Sequence, residues 1–90
     1  MTSAARQIEI LNQRGLHARA AAKFVKTASA FEAKIDVCHG GTEVCGTSIM
    51  GLMMLAASKG SVISVHAAGE DAEAAVEALA MLVRNRFDED

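Results

Sequence analysis

Apolar and polar positions alternate at the start of the chain. Ile8 and Ile10 stand beside Gln7 and Glu9, the pattern of a half-buried strand over residues 6–11. Asn12 to Gly15 then interrupts it with turn-forming residues. Beyond the turn the period lengthens. Ala21, Phe24, Val25 and Ala28 fall at i, i+3, i+4 and i+7, which predicts an amphipathic helix over residues 18–29 with Lys23 and Lys26 on its other faces. Alternation returns at Ala33, Ile35 and Val37. His39-Gly40-Gly41 turns the chain, and residues 42–45 run back as the second strand of a hairpin whose register the pattern leaves open.

Farther along, Thr47 or Ser48 caps a short helix running to about Leu55, with Ile49, Leu52, Met53 and Ala56 on one stripe. Gly51 weakens that helix and Gly60 ends the connection. The β-branched Val62, Ile63 and Val65 predict a strand over residues 61–67. After Gly69 comes a helix with Glu70, Asp71 and Glu73 in its first turn and Arg84 and Arg86 in its last, charges that match its dipole. Its apolar face is Ala75, Val76, Leu79, Leu82 and Val83. The order βαββαβα predicts an α+β fold, an open-faced sandwich. A four-stranded, mostly antiparallel sheet carries three helices on one face and shows the other to water. With no repeat, linker or low-complexity tract, residues 1–90 are expected to form a single domain.

Composition narrows the function. Ninety residues suffice for one small core but not for two lobes around a large substrate. Only three residues are aromatic, so aliphatic side chains and five Met must fill the interior. A net charge of −2, with no Lys/Arg cluster beside stacking aromatics, argues against nucleic-acid binding. Charge is nevertheless uneven: Arg14, Arg19, Lys23 and Lys26 lie in a segment without acidic residues, and the chain closes on Asp88, Glu89 and Asp90. Residues 1–10 lack an export signal and the most apolar window, 49–57, is too short to cross a bilayer. The expected location is therefore the cytoplasm, without membrane insertion. A reducing cytosol keeps Cys38 and Cys45 as thiols, even if the hairpin brings them face to face. His17, Cys38, His39, Cys45 and His66 carry ligating atoms, but no C-x-x-C or H-x-x-x-H pair occurs, so neither a metal nor a cofactor is expected.

Candidate chemistry gathers at His17. A helix start presents unpaired N–H groups and the positive end of the dipole, which together favour a phosphate. A neutral imidazole placed there has a ring nitrogen free to attack phosphorus, with the backbone of Ala18 and Arg19 as a cradle. The planar, permanently charged Arg19 fork pairs with phosphoryl oxygens as they move. Gly15 lets the preceding turn take a conformation other residues avoid, and the small Ala18 and Ala20 leave room for a large partner. The competing reading is that His17 merely caps the helix and Arg19 is a solvated charge. No Ser-centred elbow and no carboxylate pair suggests a hydrolase.

The segment GLHARAAAKFV, Gly15 to Val25, resembles the active-site segment of the histidine-containing phosphocarrier family, HPr, of the phosphoenolpyruvate-dependent phosphotransferase system. TSIMGLMML and SKGSVISVHAAGEDAEAAVEAL resemble the family's second half, so the resemblance spans essentially the whole chain. It implies a monomeric phosphoryl carrier, consumed and regenerated in each cycle and not itself an enzyme. His17 Nδ1 would accept the group from phosphorylated enzyme I and pass it to an EIIA-type protein, with Arg19 assisting. Family members usually have Pro where Ala20 stands, a change expected to cost rigidity more than chemistry.

Ser48 by itself reads as a helix cap. The resemblance adds a regulatory role, since some members are phosphorylated at this serine by HPr kinase/phosphorylase, and a doubly negative group would disturb docking beside His17. Leu16, Ala20, Ile49, Met50 and Met53 are implied as partner-docking residues, the adaptable Met side chains suiting successive partners. The basic run from Arg14 to Lys26 would rim that patch and attract acidic partners. Gly-Leu-His-Ala-Arg and the closing RFDED are similar to the nitrogen-related branch as much as to the sugar-uptake branch. Two rivals stay open. One is a regulatory binding protein acting through Ser48, Ile49 and Met50. The other is a small-molecule sensor, which leaves His17 and Arg19 unexplained.

Overall fold

In the computed structural model, which describes residues 2–88, the chain runs through β1 (Ser3–Glu9), α1 (Ala18–Ala28), β2 (Lys34–His39), β3 (Thr42–Cys45), α2 (Ile49–Met54), β4 (Val62–Ala68) and α3 (Ala72–Arg84). It closes in a turn at Arg86–Asp88. Met1, and the Glu89 and Asp90 of the acidic run, lie outside the described residues. The sheet order is β1-β4-β2-β3 and every neighbouring pair is antiparallel. β1 and β2 are thus parallel to each other, separated by the α1 crossover, and β4 fills the gap between them.

Register decides which residues share a face. Pairing of Ile8 with Ile63, Val37 with Val65 and Ile35 with Ala67 places all six on the buried side. Rows of the other face read Gln7-Ser64-Cys38-Glu43 and Ala5-His66-Asp36-Cys45 across all four strands. Cys38 and Cys45 therefore occupy adjacent rows. They share the open face without standing opposite each other, and both are free thiols. Gly40 and Gly41, with φ +56° and +83°, form the two-residue hairpin loop that the strand twist favours.

Helices α1 and α3 cover the buried face, inserting Phe24, Leu79 and Val83 with complete burial. Each such side chain contributes roughly 1.5–3 kcal/mol over its exposed state. The first strand begins three residues before the expected start because its small Ser3–Ala5 segment pairs along β4, as in Ser3 with Ala68. Asp71 sits at the N-cap of α3, but its carboxylate accepts from the Glu32 backbone N–H at 2.8 Å and does not cap its own helix. Arg86 does not lie in the last turn of α3, where the charge pattern puts it. The helix ends at Arg84, and Arg86, Phe87 and Asp88 all take left-handed φ near +55° to +60°. Burial of the whole Phe87 ring beneath the helices offsets that backbone cost.

Candidate functional site

The turn before α1 is clamped from three sides. Buried Asn12 donates from Nδ2 to Gly15 O at 2.9 Å, and Gly15 N–H donates back to Asn12 O at 3.2 Å. Gly15 has φ +64°, and a Cβ there would strike Ala57 O and Ser58 Cα, so both conformation and space demand glycine. Next to it, Leu16 N–H donates to Ala57 O at 2.9 Å. Its neighbour in the chain, His17, is thereby tied to the segment leaving α2.

His17 is half-buried and extended, with φ −77° and ψ 179°, and stands at the N-cap of α1. Its carbonyl accepts the first helical bond from Ala21 N–H at 2.8 Å, but its imidazole does not cap the helix. The plain capping reading is thus set aside. Ala18, Arg19 and Ala20 precede that first bond, so their N–H groups have no intrahelical acceptor. No acidic residue lies in this first turn, and exposed Arg19 adds its positive charge to that of the dipole. The arrangement favours an anion beside the imidazole.

Helix α2 is capped by Ser48, whose Oγ accepts from Gly51 N–H at 3.0 Å. Only Leu52 of its six residues is fully buried. Ile49 and Met53, expected on the core stripe, are 41% and 42% exposed; Met50 and Met54 are 73% and 74% exposed. The helix touches α1 and β3, and Leu52 is the side chain it sends into the interior. Met54, absent from the expected docking set, belongs to this patch. Its signal was present: Ile49, Met50, Met53 and Met54 cannot all share one stripe with Leu52. Leu16 and Ala20, expected to dock partners, are only 5% and 0% exposed. They are core residues, turned inward by the clamp on Ala57 and by the buried face of α1.

Arg14, Arg19 and Lys26 are exposed as the basic rim requires. Lys23 departs from it: the side chain is half-buried and its ammonium donates to Phe87 O at 2.6 Å, joining α1 to the closing turn. Helix amphipathy could not show that partner, which is 64 residues away in sequence. His66 lies on the open face between Ala5 and Asp36. His39 ends β2 and bonds Leu55 O. Among the described residues no three His, Cys, Asp or Glu side chains gather where they could hold a metal ion. The two thiols differ. Desolvation raises the Cys38 pKa, with the Glu43 carboxylate adding to the effect, whereas a hydrogen bond from Thr47, 3.0 Å away, lowers that of Cys45.

The helix-start histidine, with an arginine two residues on, lies within a stretch that a family model matches. The model of the PTS HPr component phosphorylation site covers residues 4–85. The chain belongs to the HPr family. HPr from Xylella fastidiosa strain Temecula1 is 49% identical over 84 residues, covering 93% of this chain and 94% of that protein. The phosphocarrier NPr of Shewanella violacea is 43% identical over 89 residues, 99% and 98% of the two chains. In three dimensions the chain superposes on HPr from Thermoanaerobacter tengcongensis with a TM-score of 0.90 at 44% identity, over 100% and 99% of the two chains. As an HPr-family member it is a phosphocarrier of the phosphotransferase system, and relatives named HPr and NPr match it at 49% and 43% identity.

Proposed function

We propose that His17 is the phosphoryl acceptor. The supporting observation is its position: half-exposed, at the N-cap of α1, with its carbonyl and not its ring serving the helix. The Nδ1 lone pair attacks the phosphorus of phosphorylated enzyme I. As the new P–N bond forms, the donor's bond to phosphorus breaks and its electron pair returns to the donor. The N–H groups of Ala18 and Arg19 and the Arg19 guanidinium hold the phosphoryl oxygens, whose charge shifts but does not leave the positive helix end. Passing the group to an EIIA-type protein reverses these steps and restores His17. The protein is thus a stoichiometric carrier, acting as a monomeric single domain in the cytoplasm, and requires no cofactor of its own.

Incubation with enzyme I, phosphoenolpyruvate and Mg²⁺, followed by intact mass before and after mild acid, tests this reading. One acid-labile phosphoryl group is expected, absent in a folded His17→Ala protein and retained in Ser48→Ala. Labelling of His17→Ala on another histidine would overturn the assignment.

A second, regulatory reading rests on the Ser48 hydroxyl lying at the start of the exposed α2 patch. HPr kinase/phosphorylase modification there would place a double negative charge beside Ile49, Met50 and Met53. It would oppose docking of enzyme I while the helix-start N–H groups stabilise the phosphate. Slower acceptance of phosphate by Ser48→Asp than by Ser48→Ala is the expected sign; equal rates would remove this reading.

A further inference from the structure

Helix α2 is six residues long and buries one side chain, so neither length nor packing holds it firmly in place. Its ends are held by side chains. At the N-terminus Ser48 Oγ takes the Gly51 N–H. At the C-terminus the His39 ring, reaching over from the end of β2, lies with Nδ1 2.9 Å from Leu55 O. A carbonyl oxygen only accepts, so Nδ1 must carry the proton and His39 is the donor. The bond satisfies one of the carbonyls that any helix C-terminus leaves without an intrahelical donor.

Residues 56 and 57 link this bond to the phosphoryl site. Ala56 turns the chain with a left-handed φ of +54°, a conformation that persists only when its neighbours impose it. Those neighbours are Leu55, held by His39, and Ala57, whose oxygen receives the Leu16 N–H at 2.9 Å and packs against Gly15. Leu16 precedes His17. Both Leu55 and Ala57 are buried, so the segment has little room to rearrange on its own.

We infer that His39 is a positioning residue for phosphoryl transfer: its Nδ1–H holds the end of α2 and, through Ala56 and Ala57, the backbone that places His17. It touches no reacting atom. This role rests on the reading of His17 as acceptor, and it explains a partly buried histidine that the transfer chemistry does not use. It also ties the docking helix and the acceptor loop to one hydrogen bond, so a partner seated on α2 meets His17 in a set geometry.

The test compares His39→Leu, which keeps bulk but has no donor, with His39→Asn, whose Nδ2 replaces Nδ1. Amide hydrogen exchange of the Leu16 N–H is expected to be about tenfold faster in His39→Leu, while amides at the centre of β4 keep their protection. The enzyme I concentration giving half-maximal phosphorylation should rise about tenfold in the same protein. His39→Asn should bring both close to wild type. Unchanged Leu16 exchange, an equal acceleration of every amide, or a failure of Asn to restore what Leu removes would overturn the inference. Should His39→Leu not fold, His39→Gln takes its place, because its amide lies one bond farther out and misses Leu55 O. Absence of acid-labile labelling in the wild-type protein would refute the acceptor role of His17, whereas the exchange pattern tests the His39 link without any phosphorylation.

Discussion

Ala56 carries a left-handed backbone that glycine would adopt without strain. The cost for an L-residue is about 1 kcal/mol, and the anchored residues on either side enforce it. Ala56→Gly is therefore expected to raise stability by about 0.5–1 kcal/mol in urea titrations, less whatever the unfolded chain gains in freedom. Gly15 is the reverse case, because its φ is +64° and Ala57 and Ser58 fill the space a side chain would need. Gly15→Ala should lose about 2 kcal/mol or more and slow phosphoryl acceptance as well, since the displaced turn carries Leu16 and His17 with it. Stability unchanged by Gly15→Ala would contradict the close approach. The cysteines offer a chemical test at the same scale. The Thr47 hydrogen bond favours the Cys45 thiolate, while desolvation and Glu43 disfavour that of Cys38. On raising the pH, Cys45 should become reactive toward iodoacetamide before Cys38, as site-resolved mass spectrometry would show. The reverse order would mean that the Thr47 bond does not form in solution.

Helix α2 shows how far an element depends on its ends. Ser48→Ala removes the cap and should cost about 1 kcal/mol, whereas Ser48→Asp keeps an acceptor for Gly51 N–H and should stay within a few tenths of wild type. Thermal or urea unfolding of the two variants separates these outcomes, and a larger loss for Asp would show that the cap is not what Ser48 supplies to stability. Elements differed in how clearly their residues announced them. The α1 stripe of Ala21, Phe24 and Ala28 and the α3 stripe of Ala75, Val76 and Leu79 were legible because each helix lies along a continuous core and buries a full face. The hairpin was equally plain from Gly40-Gly41. The stripe expected for α2 failed because period 3.6 reports which residues share a face, not whether a neighbour covers it. Likewise Ser3–Ala5 has no alternation of its own and becomes strand only by pairing with β4.

For the whole molecule, the closing turn is what the rest of the fold imposes most strongly on the chain. Phe87 is completely buried and its carbonyl receives the Lys23 ammonium, so three successive left-handed residues persist there without a glycine. Phe87→Ala should lose about 3 kcal/mol or more, partly offset by relief of the backbone, and chemical denaturation measures it. A loss below about 1 kcal/mol would mean that the ring is not packed as described. By contrast, the Arg6–Glu77 pair at 2.8 Å joins β1 to α3 with both side chains substantially exposed, and Arg6→Ala should cost less than about 1 kcal/mol.

The chain's residues by themselves determined the order of strands and helices, the glycine before α1, the histidine at its first turn and the serine that caps α2. These arise from backbone preferences and from contacts between near neighbours. Only the tertiary structure decided the strand order, the adjacent rows of Cys38 and Cys45, the burial of Leu16 and Ala20, the exposure of Ile49 and Met53 on the expected core stripe, and the partners of Lys23 and His39. Each depends on elements brought together from far along the chain, as Lys23 meets Phe87 across 64 residues. A local pattern sets a side chain's direction on its own element, but what it meets there depends on where the other elements pack.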